Sequence, residues 1–235
     1  MESMGLLFKV LWSPAEAFFI LSKKPRVLAP LIVITLASLA ASIVTFTYID
    51  MGELTLRQIE QSPSGANMPE EQKQQMVQMI RTFTPVSMVI GAVAPAVIVT
   101  IAALIYFAVF MVIGRDSDFK TFLSITAFAH LPLIVRQAAA IAQVYLTPAA
   151  QLDIYNLGGL GLATFLDPGA VSPTVYAAST VVDIVSIWVW ILLIIGYKFV
   201  VPKSVGIAAR ASGVLVVSLF FSLIFAALRL LQQPG

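Results

Sequence analysis

The 235-residue chain is 59% apolar and only 11% charged, with a formal net charge of +2 and a mean hydropathy of +0.94. That composition belongs to an integral membrane protein, and it offers no basic block of the kind that tracks nucleic-acid phosphates. With no Cys and a single His, a disulfide framework, thiolate chemistry and a Cys- or His-rich metal site are excluded.

Residues 1–26 read as a cytoplasmic interfacial segment. They do not read as a secretory signal, because Lys9 interrupts the early apolar run and no small-residue cleavage site follows. Ser13-Pro14-Ala15-Glu16 has the form of a helix start, with Ser at the N-cap, Pro at the first helical position and Glu16 able to reach back to the N-cap amide in a capping box. The helix that follows puts Ala17, Ile20 and Leu21 on one side with Phe18 nearby, which suits the headgroup level. Lys23, Lys24 and Arg26 then form a basic collar.

Residues 27–235 are expected to form a membrane domain of five spans. Span one, 28–48, is an unbroken apolar run that covers about 30 Å as a helix. The extracytoplasmic loop 49–85 is punctuated by Gly52, Ser62-Pro63-Ser64-Gly65 and Met68-Pro69, and a short helix from Glu70-Glu71 carries Met76, Met79, Ile80 and Phe83 on an apolar face. Span two, about 86–113, should kink near Gly91 and Pro95. After a polar turn from Gly114 to Lys120, span three covers about 122–146; Pro132, which has no amide hydrogen, should bend it and free the Phe128 carbonyl. The extracytoplasmic loop 147–175 has no Lys or Arg. Its Gly158-Gly159-Leu160-Gly161 run lacks the Lys-Ser/Thr ending of a P-loop, so a packed cap or a partly re-entrant loop is expected, with Asp167-Pro168-Gly169 as a turn. Spans four and five follow at about 176–200 and 207–231.

Charge asymmetry sets the orientation. The N-terminus and the connections after spans two and four hold Lys9, Lys23, Lys24, Arg26, Arg115, Lys120, Lys198, Lys203 and Arg210, against Arg57, Lys73, Arg81 and Arg229 on the other side. The positive-inside rule places the N-terminus in the cytoplasm and the C-terminus outside. No inverted or parallel repeat is visible, and an odd span count leaves no duplicated halves of the kind many secondary transporters have.

Away from the ends of spans three and four, each holds one charged residue, Arg136 and Asp183. Counted along ideal helices, Arg136 lies about 15 Å and Asp183 about 9 Å from the same membrane face, and the long Arg side chain can bridge the difference. They form a candidate intramembrane ion pair, since charges at depth face the bundle interior and pair. Such a pair can simply fix helix register, or it can line a path for a solute or proton. His130 lies about 120° round the helix from Arg136 and need not join it; with Pro132 it makes a candidate polar or kink site. Asp116 and Asp118 could hold a cation but more often cap the next helix. Trp188 and Trp190 point in different directions, so at most one lies in the bundle, with Trp188 the candidate. No GXSXG, HEXXH, GXGD or paired intramembrane aspartates occur, so no catalytic residue, metal site or cofactor is expected.

The order of features resembles a known family. Pro14 and Phe18 ahead of Pro25 and Pro30, the Gly114 turn leading to Phe119 and Phe122, Ala129-His130-Leu131-Pro132, and Asp183-Ile184-Val185-Ser186-Ile187-Trp188 followed by Gly196 are similar to the Yip-one domain family, of the Ypt/Rab-interacting-protein type, and especially to its bacterial branch. The resemblance covers essentially the whole chain. It implies an all-α, five-span membrane fold with a cytoplasmic N-terminus, in a bacterial inner (plasma) membrane. Eukaryotic members bind small Rab-type GTPases and act in vesicle traffic; this chain has no long cytoplasmic N-terminal extension, and GTPase binding is not expected of it. The expectation is a polytopic helix bundle with a non-enzymatic role in membrane organisation or in binding a protein partner or lipid. The alternative is a small-solute or ion transporter or channel using Arg136 and Asp183.

Overall fold

Residues 2–61, 68–148, 152, 156–166, 170–180 and 183–232 are described by the computed structural model. Over these residues the apolar periodicity is satisfied by helices, and the protein is an all-α membrane bundle. The turns expected at Ser62-Pro63-Ser64-Gly65 and Asp167-Pro168-Gly169 lie outside the described residues.

Helices α1 (Glu2–Trp12) and α2 (Pro14–Lys23) form a tight hairpin. Pro14 occupies the first turn of α2, where its fixed φ is helical and its missing N–H has no partner to lose. The expected capping box does not form: Ser13 makes no side-chain cap, and Glu16 instead pairs with Lys9 across the hairpin. A lysine one helix away offers Glu16 an opposite charge, which a neutral amide cannot. One side of the hairpin buries Leu6, Leu7, Val10, Ala17, Phe18 and Leu21 against the bundle.

The chain enters α3 (Leu28–Tyr48) through a clamp. The Arg26 N–H donates to Ser124 Oγ and the Ser124 hydroxyl donates back to the Arg26 carbonyl, both at 2.9 Å. Beyond α3, α4 (Met51–Gln61) precedes α5 (Glu70–Ile113), one helix of 44 residues that runs through Pro85 and Pro95. At about 66 Å it is roughly twice the thickness of a hydrocarbon core, so its polar first turns stand clear of its apolar remainder. The segment expected as loop 49–85 is thus largely helical.

Asp50 ties α4 to α5. It accepts the Gly52 and Glu53 amides at 2.9 and 3.1 Å and the Arg81 guanidinium at 2.8 Å. The Arg81 hydrogen bond, and then those amides, hold the Asp50 carboxyl below its ordinary value of 3.8. A depressed carboxylate stabilises the fold above its unfolded-state value and loses that contribution as pH falls through the lower folded one. We therefore expect α4 amides to lose protection from hydrogen exchange, relative to intrinsic rates, as pH drops below 3.8. Asp50→Asn keeps an acceptor for the Gly52 and Glu53 amides but loses the ion pair with Arg81, so its protection should be modestly lower at neutral pH and flat across this range; an unchanged acid response in Asp50→Asn would place its origin elsewhere.

Gly114, at φ 128°, ends α5 in a conformation that favours glycine. Asp118 then caps α6 (Phe119–Ala129), accepting the Thr121 N–H at 3.0 Å and its hydroxyl at 2.6 Å. These bonds lower its pKa, so Asp118 acts as a cap. Helix α7 (Leu133–Leu146), a short 3-10 turn (Leu162–Phe165), α8 (Pro173–Ser179), α9 (Ile184–Tyr197) and α10 (Ile207–Gln232) complete the order.

The core centres on Tyr197, whose ring lies 5.0 to 5.4 Å from those of Phe110, Phe122 and Tyr106. Thr126 donates to the Phe122 carbonyl at 2.7 Å, so the Tyr197 hydroxyl, 2.8 Å away, is the donor to Thr126. Tyr106 meets Ser218 at 2.6 Å. Both buried phenols are satisfied, as apolar surroundings demand. Among the described residues four stretches are long and apolar enough to cross a membrane: Leu28–Tyr48, α5, Phe119–Leu146 and Ile207–Ala227. Helix α9 is 14 residues long and reaches about 21 Å, short of a full crossing.

Candidate functional site

The site begins at the break between α6 and α7. Pro132 cannot donate to the Phe128 carbonyl, and the Leu131 N–H takes its place at 3.2 Å in a tightened turn. Leu133, Ile134 and Val135 then bond three residues back, to His130, Leu131 and Pro132, and the helix restarts with a changed phase. His130 sits in this turn with Nδ1 2.7 Å from the Thr126 carbonyl. A carbonyl can only accept, so Nδ1 carries the proton and Nε2 is the acceptor of the neutral ring.

Asp183 is placed by a second break. The continuous helix expected over 176–200 is two, α8 and α9, and Asp183 is the N-cap of α9, its Oδ1 accepting the Ser186 N–H at 2.7 Å. A carboxylate inside an apolar helix has no donors, whereas at an N-cap it satisfies an orphan amide and meets the positive end of the helix dipole.

These two breaks bring Arg136 and Asp183 together. Arg136 Nη2 donates to Asp183 Oδ2 and lies 3.3 Å from Ser186 Oγ. The Asp183 side chain is 6% exposed and that of Arg136 33%, so the carboxylate is enclosed while the guanidinium reaches open space. That space is a cavity of about 330 Å³ bounded by Arg136, His130, Gln137, Thr180, Ser186 and Ser222. Its apolar walls come from Pro95, Ile98 and Val99 on α5, Leu133 on α7 and Phe225 on α10. His130 and Arg136 therefore share one cavity, although continuous-helix geometry sets them about 120° apart; the break at Pro132 is the reason. Arg136 Nε is buried without a hydrogen-bond partner.

The loop after α7 closes the site from behind. Gly158, at φ 75°, donates its N–H to Gln143 Oε1 at 2.7 Å, and a Cβ there would strike the Arg136 carbonyl. Arg136 is ten residues from the end of α7, so Gly158 packs about 15 Å back along the helix from that end. An isolated antiparallel bridge joins Gly161 to Asp183.

Trp188 and Trp190 are both half-buried and pack against the core, and α6 and α10 both contact α9. The sequence gives no site role to Gln137, Ser186 or Ser222, although Ser186 lies in the motif that carries the family resemblance. Ser186 had a signal, three residues after an Asp where a capped helix starts; Gln137, bonded to Ser38 at 3.2 Å, and Ser222 depend on tertiary packing alone. Among the described residues no three His, Cys, Asp or Glu side chains cluster to hold a metal. The arrangement offers a neutralised charge pair, hydroxyls and one imidazole, suited to holding polar groups away from lipid.

The Yip1 domain matches residues 8–229. The chain belongs to the Yip1 domain family. Comparison with curated proteins and with solved structures returns no match. The matched region takes in α2 through most of α10, so the N-terminal hairpin, the cavity and the aromatic core around Tyr197 all fall within the Yip1 domain or begin just ahead of it.

Proposed function

We propose that this Yip1-domain protein is a non-enzymatic organiser of the bilayer, and that it works through the α1–α2 hairpin. In this reading it crosses a bacterial inner membrane five times, with α9 and the loop before it forming one crossing, its N-terminus cytoplasmic and its C-terminus outside. The observation that carries the proposal is the hairpin's second apolar face. While one side is locked into the core, Met4, Phe8, Trp12 and Phe19 are exposed on the other, Trp12 at 85% and Phe8 at 65%. Met4, Phe8 and Trp12 recur every four residues and make one stripe. An apolar stripe fixed beside the first span, next to the basic Lys23, Lys24 and Arg26, inserts into one leaflet at the acyl boundary and expands that leaflet against the other. Reconstitution into vesicles should yield smaller or tubular membranes by cryo-electron microscopy, and Phe8→Ser/Trp12→Ser should restore the diameter of protein-free controls. Vesicles of unchanged shape with the wild-type protein would remove the reading.

A second reading, a small-solute or ion pathway, is favoured by the cavity that reaches Arg136. Flux in proteoliposomes that vanishes in a folded Arg136→Leu variant supports it, and absence of flux for ions and small polar solutes counts against it.

A further inference from the structure

Between the two helices of the hairpin lies an open groove of about 590 Å³, distinct from the Arg136 cavity. Its floor is apolar, formed by Gly5, Leu6, Phe19 and Ile20. Its rim carries four cations, Lys9, Lys23, Lys24 and Arg26. Glu16 neutralises Lys9, and Lys23 and Lys24 carry positive charge at the entrance to α3. Lys23 holds its ammonium 6.0 Å over the Phe19 ring, and the Arg26 backbone is clamped to Ser124 at both its amide and its carbonyl. The rim is thus anchored to the bundle, while the floor is greasy and open.

We propose that this groove is a binding site for one anionic glycerophospholipid, its phosphate held by Lys23 and Lys24 and the start of an acyl chain laid over Gly5, Leu6, Phe19 and Ile20. Charge complementarity selects the headgroup, and the apolar floor selects a lipid over a soluble phosphate, which would leave that floor wet. The site rests on the reading that places the hairpin at headgroup level, and deepens it by naming the lipid class. It explains why cations and apolar side chains alternate on one short hairpin: the cations reach the phosphate plane while their stems and neighbours stay in the acyl boundary.

Native mass spectrometry of the full chain, titrated with phosphatidylglycerol and with phosphatidylcholine of the same acyl chains, tests it. Wild type should retain one phosphatidylglycerol in preference to phosphatidylcholine. Lys23→Gln/Lys24→Gln should weaken that binding by about 5-fold per charge removed, whereas Lys120→Gln, exposed at the start of α6 and outside the groove, should leave it unchanged. Gly5→Leu provides a variant that keeps every charge: a Cβ at Gly5 meets nothing within 4 Å, so the side chain fills the groove without disturbing the core, and lipid retention should fall. Equal retention of the two lipids by wild type would overturn the proposal, as would equal loss in Lys120→Gln or competition by glycerol phosphate at the lipid's own concentration. Vesicle shape in pure phosphatidylcholine separates this site from the reading beneath it. If the hairpin acts as a wedge, wild type and Lys23→Gln/Lys24→Gln deform neutral membranes alike, whatever the lipid titration shows; if neither deforms them, the wedge itself fails.

Discussion

Replacing Arg136 by Leu is expected to destabilise the protein strongly, because it leaves the Asp183 carboxylate, 6% exposed, with no counter-charge. Breaking a buried pair from one side costs about 3–5 kcal/mol in soluble proteins, and the partial exposure of the guanidinium puts this case at the lower end. Asp183→Leu should cost more than Asp183→Asn, since Asp183 also caps α9 through the Ser186 amide and Asn caps about as well as Asp; the difference should be about 1 kcal/mol. The double variant Arg136→Leu/Asp183→Asn removes both charges and keeps the cap, so it should lose less than the sum of its parts. Thermal unfolding in mild detergent across this cycle reads the coupling directly. Additive losses would mean that Arg136 and Asp183 touch without stabilising one another.

The second large effect is expected at Phe18. Its ring is fully buried. A Cβ on Gly196 would stand 2.5 Å from Ile125 Cγ2 and 3.3 Å from the Phe18 ring, so the glycine is what lets α9 meet Ile125 of α6 and the Phe18 ring at one point. Phe18→Ala should cost about 3–5 kcal/mol by loss of burial and by the cavity left behind. The loss should be local: α1 and α2 should become sensitive to protease while the Tyr106–Phe110–Phe122–Tyr197 cluster holds. A variant that melts earlier with the hairpin still protected would show that Phe18 supports the bundle as a whole, and would weaken the view of the hairpin as a separately docked unit.

Much of this was legible in the chain. Composition alone implied a membrane bundle, and helix arithmetic on two opposed segments put Arg136 within reach of Asp183, because a charge in an apolar run needs a partner. The resemblance carried by Asp183-Ile184-Val185-Ser186 and Ala129-His130-Leu131-Pro132 pointed to the family that the Yip1 match shows. What stayed hidden were the breaks. Residues 176–200 are mostly apolar with no clear helical period in their few polar residues, so periodicity does not reveal that α8 ends and α9 begins within them; the cue is local, an Asp three residues before a Ser. Pro132 was read as a bend, but the phase change it causes carried His130 into the Arg136 cavity, which rotation along an ideal helix does not predict. Glu16 followed a capping pattern and took Lys9 instead, because α1 is itself a helix folded back on α2, and nothing in the sequence around Trp12-Ser13-Pro14 gives the angle of that turn. The basic groove depends on the same fold-back.

The exposed stripe of the hairpin is expected to lie in the bilayer, and its depth can be measured directly because the chain contains no Cys. Single cysteines placed at Phe8 and Trp12 can carry nitroxide labels whose collisions with oxygen and with a water-soluble nickel complex report depth. In reconstituted vesicles both labels should collide with oxygen far more than with the nickel complex, as groups below the phosphates do. Labels at 8 and 12 reached freely by the nickel complex would place the hairpin in water and contradict the account.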